Sequence, residues 1–472
     1  MRKFLALIVT PLVMLAGCGG SGTSSGPPPP PPPPPVTQVI APPGPPNVES
    51  IVVDAGPTGL NTPAVNTAFT TVTVCMPDGK FDNCQNVDHI EVDTGSVGLR
   101  IIAGATTVDA MGNPIPGVTF NLPLPAVADP SNPSNALAEC IQFADGFSWG
   151  SVNTADIKMP VSQKTATGVI VQVIGATSAG NPAKANPTCV PLPGSPVTAG
   201  LCQGIENTVP CFGANGILGV GGFINDCQST GPCAVPNPAT ICNSSNVCVP
   251  ANATAYFTCT SAAACTQVGN QVTPQLQLPN PAVRFANDNT GVIVELPPVG
   301  ANGAAAPFKG SLVFGIKTES NNDLGSATQL TAGALTGYIS ATLDGATYSA
   351  SYLDSGSNGD FFPTTSIPNC PGADAGFLCP QAGTTVSKSA VLQGTNSMTL
   401  AADFTIVNAE SLFAGNNNAF NNLAGSNYVA PPWPNNVNPN NTLDLGLPFF
   451  YGRNVFLGFE NVQTGAAPYF AY

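Results

Sequence analysis

At 472 residues the chain is long enough for two or more domains with sizeable cores. Only 8% of its residues are charged, 43% are hydrophobic, and Gly and Pro number 50 each; this excludes a largely disordered chain and favours turn-rich β structure over helix. The formal net charge of −14 argues against nucleic-acid partners and against electrostatic attraction to an anionic membrane surface.

The chain opens with Arg2 and Lys3, followed by a mostly apolar run from Phe4 to Met14. This pattern reads as an export signal and is too short for a spanning helix. Leu15-Ala16-Gly17-Cys18 resembles a bacterial lipobox, which implies acylation of Cys18, palmitate included, as a mature N-terminus. The alternative is an ordinary secretory signal. Gly19 in place of an inner-membrane retention Asp points to an outer-membrane lipoprotein, on its periplasmic or surface face. No later run of 18 or more apolar residues follows, so the expected membrane contact is the N-terminal lipid alone.

Residues 19–47 read as a tether. Gly, Ser and Thr fill 19–26, and nine consecutive prolines occupy 27–35. Those prolines predict a polyproline rod of roughly 28 Å. From about Ser50 short β-type runs alternate with turns, including Thr70–Val74, Ile90–Val92, Ile157–Met159 and Gly168–Ile174. A first β region is expected over 48–222 and a second over 273–472. Between them, 223–272 reads as a cysteine-rich insertion without the apolar content for a core of its own.

Without Cys18, 14 cysteines remain. Cys75/Cys84, Cys202/Cys211 and Cys370/Cys379 share one spacing, and Cys227/Cys233, Cys242/Cys248 and Cys259/Cys265 share a shorter one. In an exported chain these predict disulfides, local ones for the first three pairs. The six crowded cysteines of the second set allow 15 connectivities, which spacing does not rank. Zinc is disfavoured, because no C-x2-C occurs and His89 is the single histidine.

Two tripeptides carry the chemistry. Asp93-Thr94-Gly95 follows Ile90-Glu91-Val92, Asp354-Ser355-Gly356 follows Tyr352-Leu353, and each continues with a hydroxyl residue, Ser96 and Ser357. A carboxylate at a strand end before a glycine turn is an ordinary turn when met once. Two suggest a paired site, in which adjacent carboxylates share a proton and supply both a general acid and a general base.

In this setting the chain resembles the pepsin-like aspartic proteases. Besides the two Asp loops, Gln142-Phe143-Ala144-Asp145-Gly146 with Gly150 and Asp156 is similar to the family's flap hairpin. Asn215–Gly221 is similar to the apolar-apolar-Gly element that passes behind its active-site loop, and Leu445-Gly446 is similar to the start of its closing segment. Gly310–Gly315, Phe449-Phe450, Arg453 and Val455-Phe456 also resemble that family's second half. The resemblance covers about residues 60–472, without the cysteine-rich segment.

It implies an all-β, bilobal architecture with two barrel-like lobes around a cleft, and an aspartic endopeptidase with a polypeptide substrate. It implies catalysis by Asp93 and Asp354 on a shared water, with neither metal nor organic cofactor. Ser96 and Ser357 would orient the carboxylates, Thr94 and Ser355 would brace the two loops against each other, and Gly95 and Gly356 would complete the loops. Phe143 stands where the family usually has a flap Tyr, and Gly146 and Trp149 would complete the substrate-binding flap, Trp149 as a cleft wall. Arg100 stands where an aromatic is frequent. A monomer is expected.

The rival reading is a non-catalytic lipoprotein of the same fold that binds a peptide, glycan or partner protein. A Ser-His-Asp site would have to use His89, which reads better as a strand residue, and no Gly-x-Ser-x-Gly elbow is present. Gly219–Gly222 is not a phosphate loop, since no Lys-Ser/Thr follows.

Overall fold

A computed structural model describes residues 38–176, 189, 202, 204–227, 240–242, 248–250, 255–261, 264–268, 272–426 and 441–472. The export signal, Cys18, the proline run and Cys233 lie outside them. The described chain is mostly β, with a few helical turns such as Val209–Phe212 and Leu447–Phe450. Among the described residues no helix is long and apolar enough to cross a membrane.

One extended sheet runs through both halves of the sequence. Val48–Val53 pairs with Ala68–Cys75 on one side and with Phe308–Phe314 on the other. Gly291–Leu296 then joins Phe308–Phe314 to Arg453–Gly458. These strands are rich in Val, Ile and Phe, and Val53, Val72, Val292, Val294 and Leu312 are buried in the main core. Residues buried on both faces read as near-continuous apolar runs, and Gly291–Leu296 does so apart from Glu295. A second, seven-stranded sheet is built wholly from residues 339–445.

The same strand crossing occurs twice. In the first half, Cys84–Asp93 and Val97–Ile102 flank the turn at Thr94–Ser96, and Gly216–Val220 lies between them. It runs parallel to the former, Leu218 opposite Val92, and antiparallel to the latter, Gly219 opposite Gly98. In the second half, Asp444–Leu445 lies between Ala346–Leu353 and Asp360–Phe361. It is parallel to the first, Leu445 opposite Leu353, and antiparallel to the second, Asp444 opposite Phe361.

A glycine follows Leu218 within the first central strand and Leu445 at the end of the second for a steric reason. A β carbon on Gly219 would sit 2.7 Å from Val97 N, and one on Gly446 would sit 2.5 Å from Ser357 O. Both are closer than real β carbons approach, so the backbones pass without a side chain between them.

The cysteine-rich segment is woven into the fold. Tyr256–Ser261 pairs antiparallel with Asn132–Gln142, and Ala264–Gln267 extends the sheet by a further strand. Tyr256 and Phe257 are buried against residues from the first half. The disulfides Cys75–Cys84, Cys202–Cys211 and Cys370–Cys379 close the three long-spaced pairs. Cys259–Cys265 closes one short-spaced pair and Cys140–Cys189 joins two distant cysteines. Cys242 and Cys248 face each other in strand register, and Cys227 is disulfide-bonded.

Candidate active site

Asp93 ends the Cys84–Asp93 strand and Asp354 directly follows Ala346–Leu353, so each carboxyl sits at the tip of a strand held by a parallel neighbour. The two tips meet. A β carbon on Gly95 would lie 2.5 Å from Asp354 Oδ2, and one on Gly356 would lie 2.7 Å from Asp93 Oδ1 and 3.2 Å from Asp354 Oδ1. Each loop therefore packs its glycine onto the other loop's carboxyl, a contact that any side chain would block.

A reciprocal set of hydrogen bonds locks this arrangement. Thr94 Oγ1 accepts from Ser355 N (2.9 Å) and donates to Leu353 O (3.1 Å). Ser355 Oγ accepts from Thr94 N (3.2 Å) and donates to Val92 O (2.7 Å). Each hydroxyl uses its one proton and a lone pair to satisfy two backbone groups of the opposite loop. Both residues are buried, so these four bonds stand in for water that cannot reach them.

The carboxyls are oriented locally. Gly95 N donates to Asp93 Oδ1 (2.6 Å) and Gly356 N to Asp354 Oδ1 (2.8 Å). Asp93 is only 5% exposed. Burial, with Asp93 and Asp444 beside it, raises Asp354 well above the ordinary carboxylate range. The pair thus retains a proton at pH values where isolated carboxyls have lost theirs.

The second hydroxyls of the two loops differ. Ser357 Oγ lies 3.1 Å from Asp354 Oδ2 and 2.5 Å from Asp444 Oδ2. Ser96, expected to orient Asp93, does not: among the described residues its buried Oγ has no hydrogen-bond partner, and it packs beside Gly219. The two sites also differ one register step away. The residue before Leu218-Gly219 is Ile217, whereas the residue before Leu445-Gly446 is Asp444.

The hairpin formed by Asn132–Gln142 and Phe147–Lys158 turns at Phe143–Gly146, with Phe143 N donating to Gly146 O. Its tip rests on the segment 204–212. Phe143 meets Phe212 edge-on with centroids 5.7 Å apart, and the Gly146 backbone lies against the Glu206 side chain. Phe147 N donates to Gly204 O and Glu206 N to Phe147 O, fixing the turn further. Trp149 is not a cleft wall. It is 0% exposed and packs edge-on against Phe257, 5.0 Å away, under the strand that the cysteine-rich segment contributes.

Several charged groups were not singled out by motif. Arg100, fully buried, donates Nη2 to Glu139 Oε1 (2.7 Å), Nε to Glu139 Oε2 (3.3 Å) and Nη1 to Val97 O (2.7 Å). Asp226 Oδ2 lies 3.7 Å from Nη2, and Tyr256 Oη donates to Asp226 (2.9 Å). This cluster ties the strand after the first loop to the hairpin and to the cysteine-rich segment. Burial and the adjacent Glu139 carboxylate raise Asp226 well above its usual range.

Burial and the nearby Asp93, Asp354 and Asp145 do the same to Glu91. The signal for Glu91 and Asp444 was present in sequence: each is a carboxylate inside an apolar run, Ile90-Glu91-Val92 and Leu443-Asp444-Leu445. His89, a strand residue as expected, lies between Asp54 (3.3 Å) and Asp88 (2.8 Å). Burial alone would lower its pKa, but the two carboxylates outweigh that and raise it to about 9.

Beside the first loop a cavity is lined by Thr94, Ser96, Ile141, Phe223, Tyr338 and Tyr352, among others. Its walls are largely apolar, and Arg100 and Asp226 also line it. No curated protein matches the chain. Residues 43–472 match the family model described as protein of unknown function (DUF3443), and the chain belongs to that family.

Proposed function

We propose that this protein is an aspartic-type peptidase of pepsin-like, two-lobed architecture, lipid-anchored in a bacterial envelope and acting on extended polypeptide. The observation that carries the proposal is the doubled strand crossing whose two Asp-(Thr/Ser)-Gly turns interlock through Thr94 and Ser355 and bring Asp93 against Asp354. A binding module has no need of two carboxyls packed at one point, Asp93 buried and Asp354 half-buried, because withdrawing them together from water is costly.

In this reading the pair holds one proton and one water. The ionised carboxyl takes a proton from the water as its oxygen attacks the peptide carbonyl carbon. The protonated carboxyl donates to the carbonyl oxygen, and the tetrahedral intermediate forms. The carboxyl that took the water proton then passes it to the leaving nitrogen, the C–N bond breaks as a hydroxyl of the diol gives its proton to the other carboxylate, and the pair is left with one proton again. Gly95 N and Gly356 N hold one oxygen of each carboxyl, and Ser357 Oγ also contacts the second oxygen of Asp354. The apolar cavity beside Thr94 and Ser96 would seat an apolar substrate side chain.

A second reading, a non-catalytic lipoprotein of this fold that captures a peptide, glycan or partner protein, is favoured by one feature. The hairpin tip is held down by Phe212 and the 204–206 backbone rather than free to close over a substrate. The test is incubation of the full chain with a diverse peptide mixture from about pH 3 to 7, with Asp93→Asn and Asp354→Asn as controls. Cleavage abolished in both variants supports the peptidase. Cleavage by neither the wild type nor the variants, with tight peptide binding, supports the binding protein.

A further inference from the structure

Ser357 touches two carboxyls but has one proton. Its Oγ lies 2.5 Å from Asp444 Oδ2 and 3.1 Å from Asp354 Oδ2. A hydroxyl can donate in only one of these contacts and must accept in the other. One of the two carboxyls is therefore protonated and donates to Ser357. Were both ionised, lone pairs would face each other across one of the short contacts.

The surroundings decide which one carries the proton. Asp444 is 0% exposed, and among the described residues its Oδ1 has no hydrogen-bond partner. Asp360, from the strand alongside, is also 0% exposed; its carboxyl has no close hydrogen bond among the described residues, although the Gly446 N–H acts on it. A lone carboxylate in such a place is far costlier than a neutral carboxyl. Asp354 is half-buried and already accepts Gly356 N–H. The chain of donation runs from Asp444 to Ser357 to Asp354.

The groups facing Asp444 are Ser357 and Asp354 from the second loop, Asp360 from the adjoining strand and Asp93 from the first loop. The nearest cation acting on Asp360 is Arg453, which spends its own donors on Phe449 O and Asp403 O. Among the described residues Asp444 has no salt-bridge partner, and no group of three or more His, Cys, Asp or Glu is placed to hold a metal. At the matching register position of the first loop stands Ile217.

We propose that Asp444 is a positioning residue for Asp354: neutral, it donates to Ser357 and aims the Ser357 proton at Asp354 Oδ2; ionised, it takes that proton for itself and leaves Asp354 without its hydroxyl donor. This rests on the peptidase reading and makes the pair asymmetric, since Asp93 has no such support. Loss of the Asp444 proton then forms part of the upper limb of the pH profile for cleavage.

The test has two arms on the purified full chain. In cleavage assays Asp444→Asn, whose amide N–H donates at every pH, moves the upper limb of kcat/KM upward by about one pH unit or more. Ser357→Ala lowers kcat by about tenfold with little change in KM, and adding Asp444→Asn to it has no further effect. An unmoved limb in Asp444→Asn, or additive effects in the double variant, overturns the proposal.

The second arm needs no turnover. Infrared difference spectra below the limb lose one protonated-carboxyl band in Asp444→Asn, and in Ser357→Ala that band shifts because its acceptor is gone. A spectrum unchanged in both overturns the proposal. The band changes without peptide cleavage by any form support the proton assignment and sink the peptidase reading instead.

Discussion

The turns at Asp93–Ser96 and Asp354–Ser357 share a backbone plan and differ in what lies beneath them. Both end a strand held by a parallel neighbour, both place Gly N–H on the Asp carboxyl, and both give their middle hydroxyl to the opposite loop. Beneath the first lies Ile217 and an unengaged Ser96; beneath the second lies Asp444, in contact with Ser357. The crossing of strands and the brace are the duplicated parts. The supply of protons and hydrogen bonds is not duplicated, and one residue in the central strand sets the difference.

The largest expected effect tests whether the two loops act as one unit. Asp93→Asn and Asp354→Asn should each lower kcat/KM for peptide cleavage by roughly 10²–10⁴-fold, with unchanged circular dichroism. A much smaller loss in one variant would mean that the carboxyls do not share the reaction.

Next is the anchor that only the first loop possesses. Arg100→Met leaves Glu139 and Asp226 buried without their cation, and should cost about 3–5 kcal/mol in urea unfolding. Adding Glu139→Gln should recover part of that loss. A cost below about 1 kcal/mol would show that the cluster does not hold the first loop's strand to the hairpin.

The brace should be symmetric where the underlying residues are not. Thr94→Val and Ser355→Ala each strand a buried backbone N–H of the opposite loop, for an expected loss of about 1–3 kcal/mol each. Because the two share one network, the double variant should lose less than the sum. Unequal single losses would break the symmetry claimed for this layer.

Stability against pH sharpens the contrast further. Burial raises Asp444, Asp360 and Asp354 above their usual values. It also raises Glu295, to about 7. An acid whose folded pKa is raised binds its proton more tightly when folded. Its contribution is full below the unfolded carboxyl pKa, about 4, and declines as pH rises through the folded value. Unfolding free energy should thus fall from pH 4.5 to 7, and Asp444→Asn and Glu295→Gln should each flatten that fall. A stability that instead rises over this range would contradict the assigned direction. The smallest effect belongs to Ser96→Ala, expected to change stability by less than about 0.5 kcal/mol, well below Ser357→Ala.

The elements legible in sequence were those encoded locally. The paired Asp-(Thr/Ser)-Gly-Ser turns, the apolar-Gly element at Leu218-Gly219 and the long-spaced cysteine pairs each lie within ten residues, whereas the role of Leu445-Gly446 as the second crossing emerged only from its strand pairing. The strand expectations at Thr70–Val74, Ile90–Val92 and Gly168–Ile174 fall inside observed strands for the same reason, while Met159 lies just past one. What escaped depends on residues far apart. Trp149 is buried because Phe257 arrives on a strand more than a hundred positions later. Ser96 and Ser357 look alike until Ile217 and Asp444 are set beneath them. Arg100 reads as a substitution until Glu139 and Asp226 enclose it.

The most direct test is cleavage of one good peptide by the full chain from about pH 3 to 7, with and without a statine-type transition-state analogue. Turnover should be confined to acidic and mildly acidic pH and be blocked by the analogue. Turnover that rises towards neutral pH and ignores the analogue, or a folded protein that binds the analogue no better than it binds peptide and never cleaves, would contradict the peptidase reading.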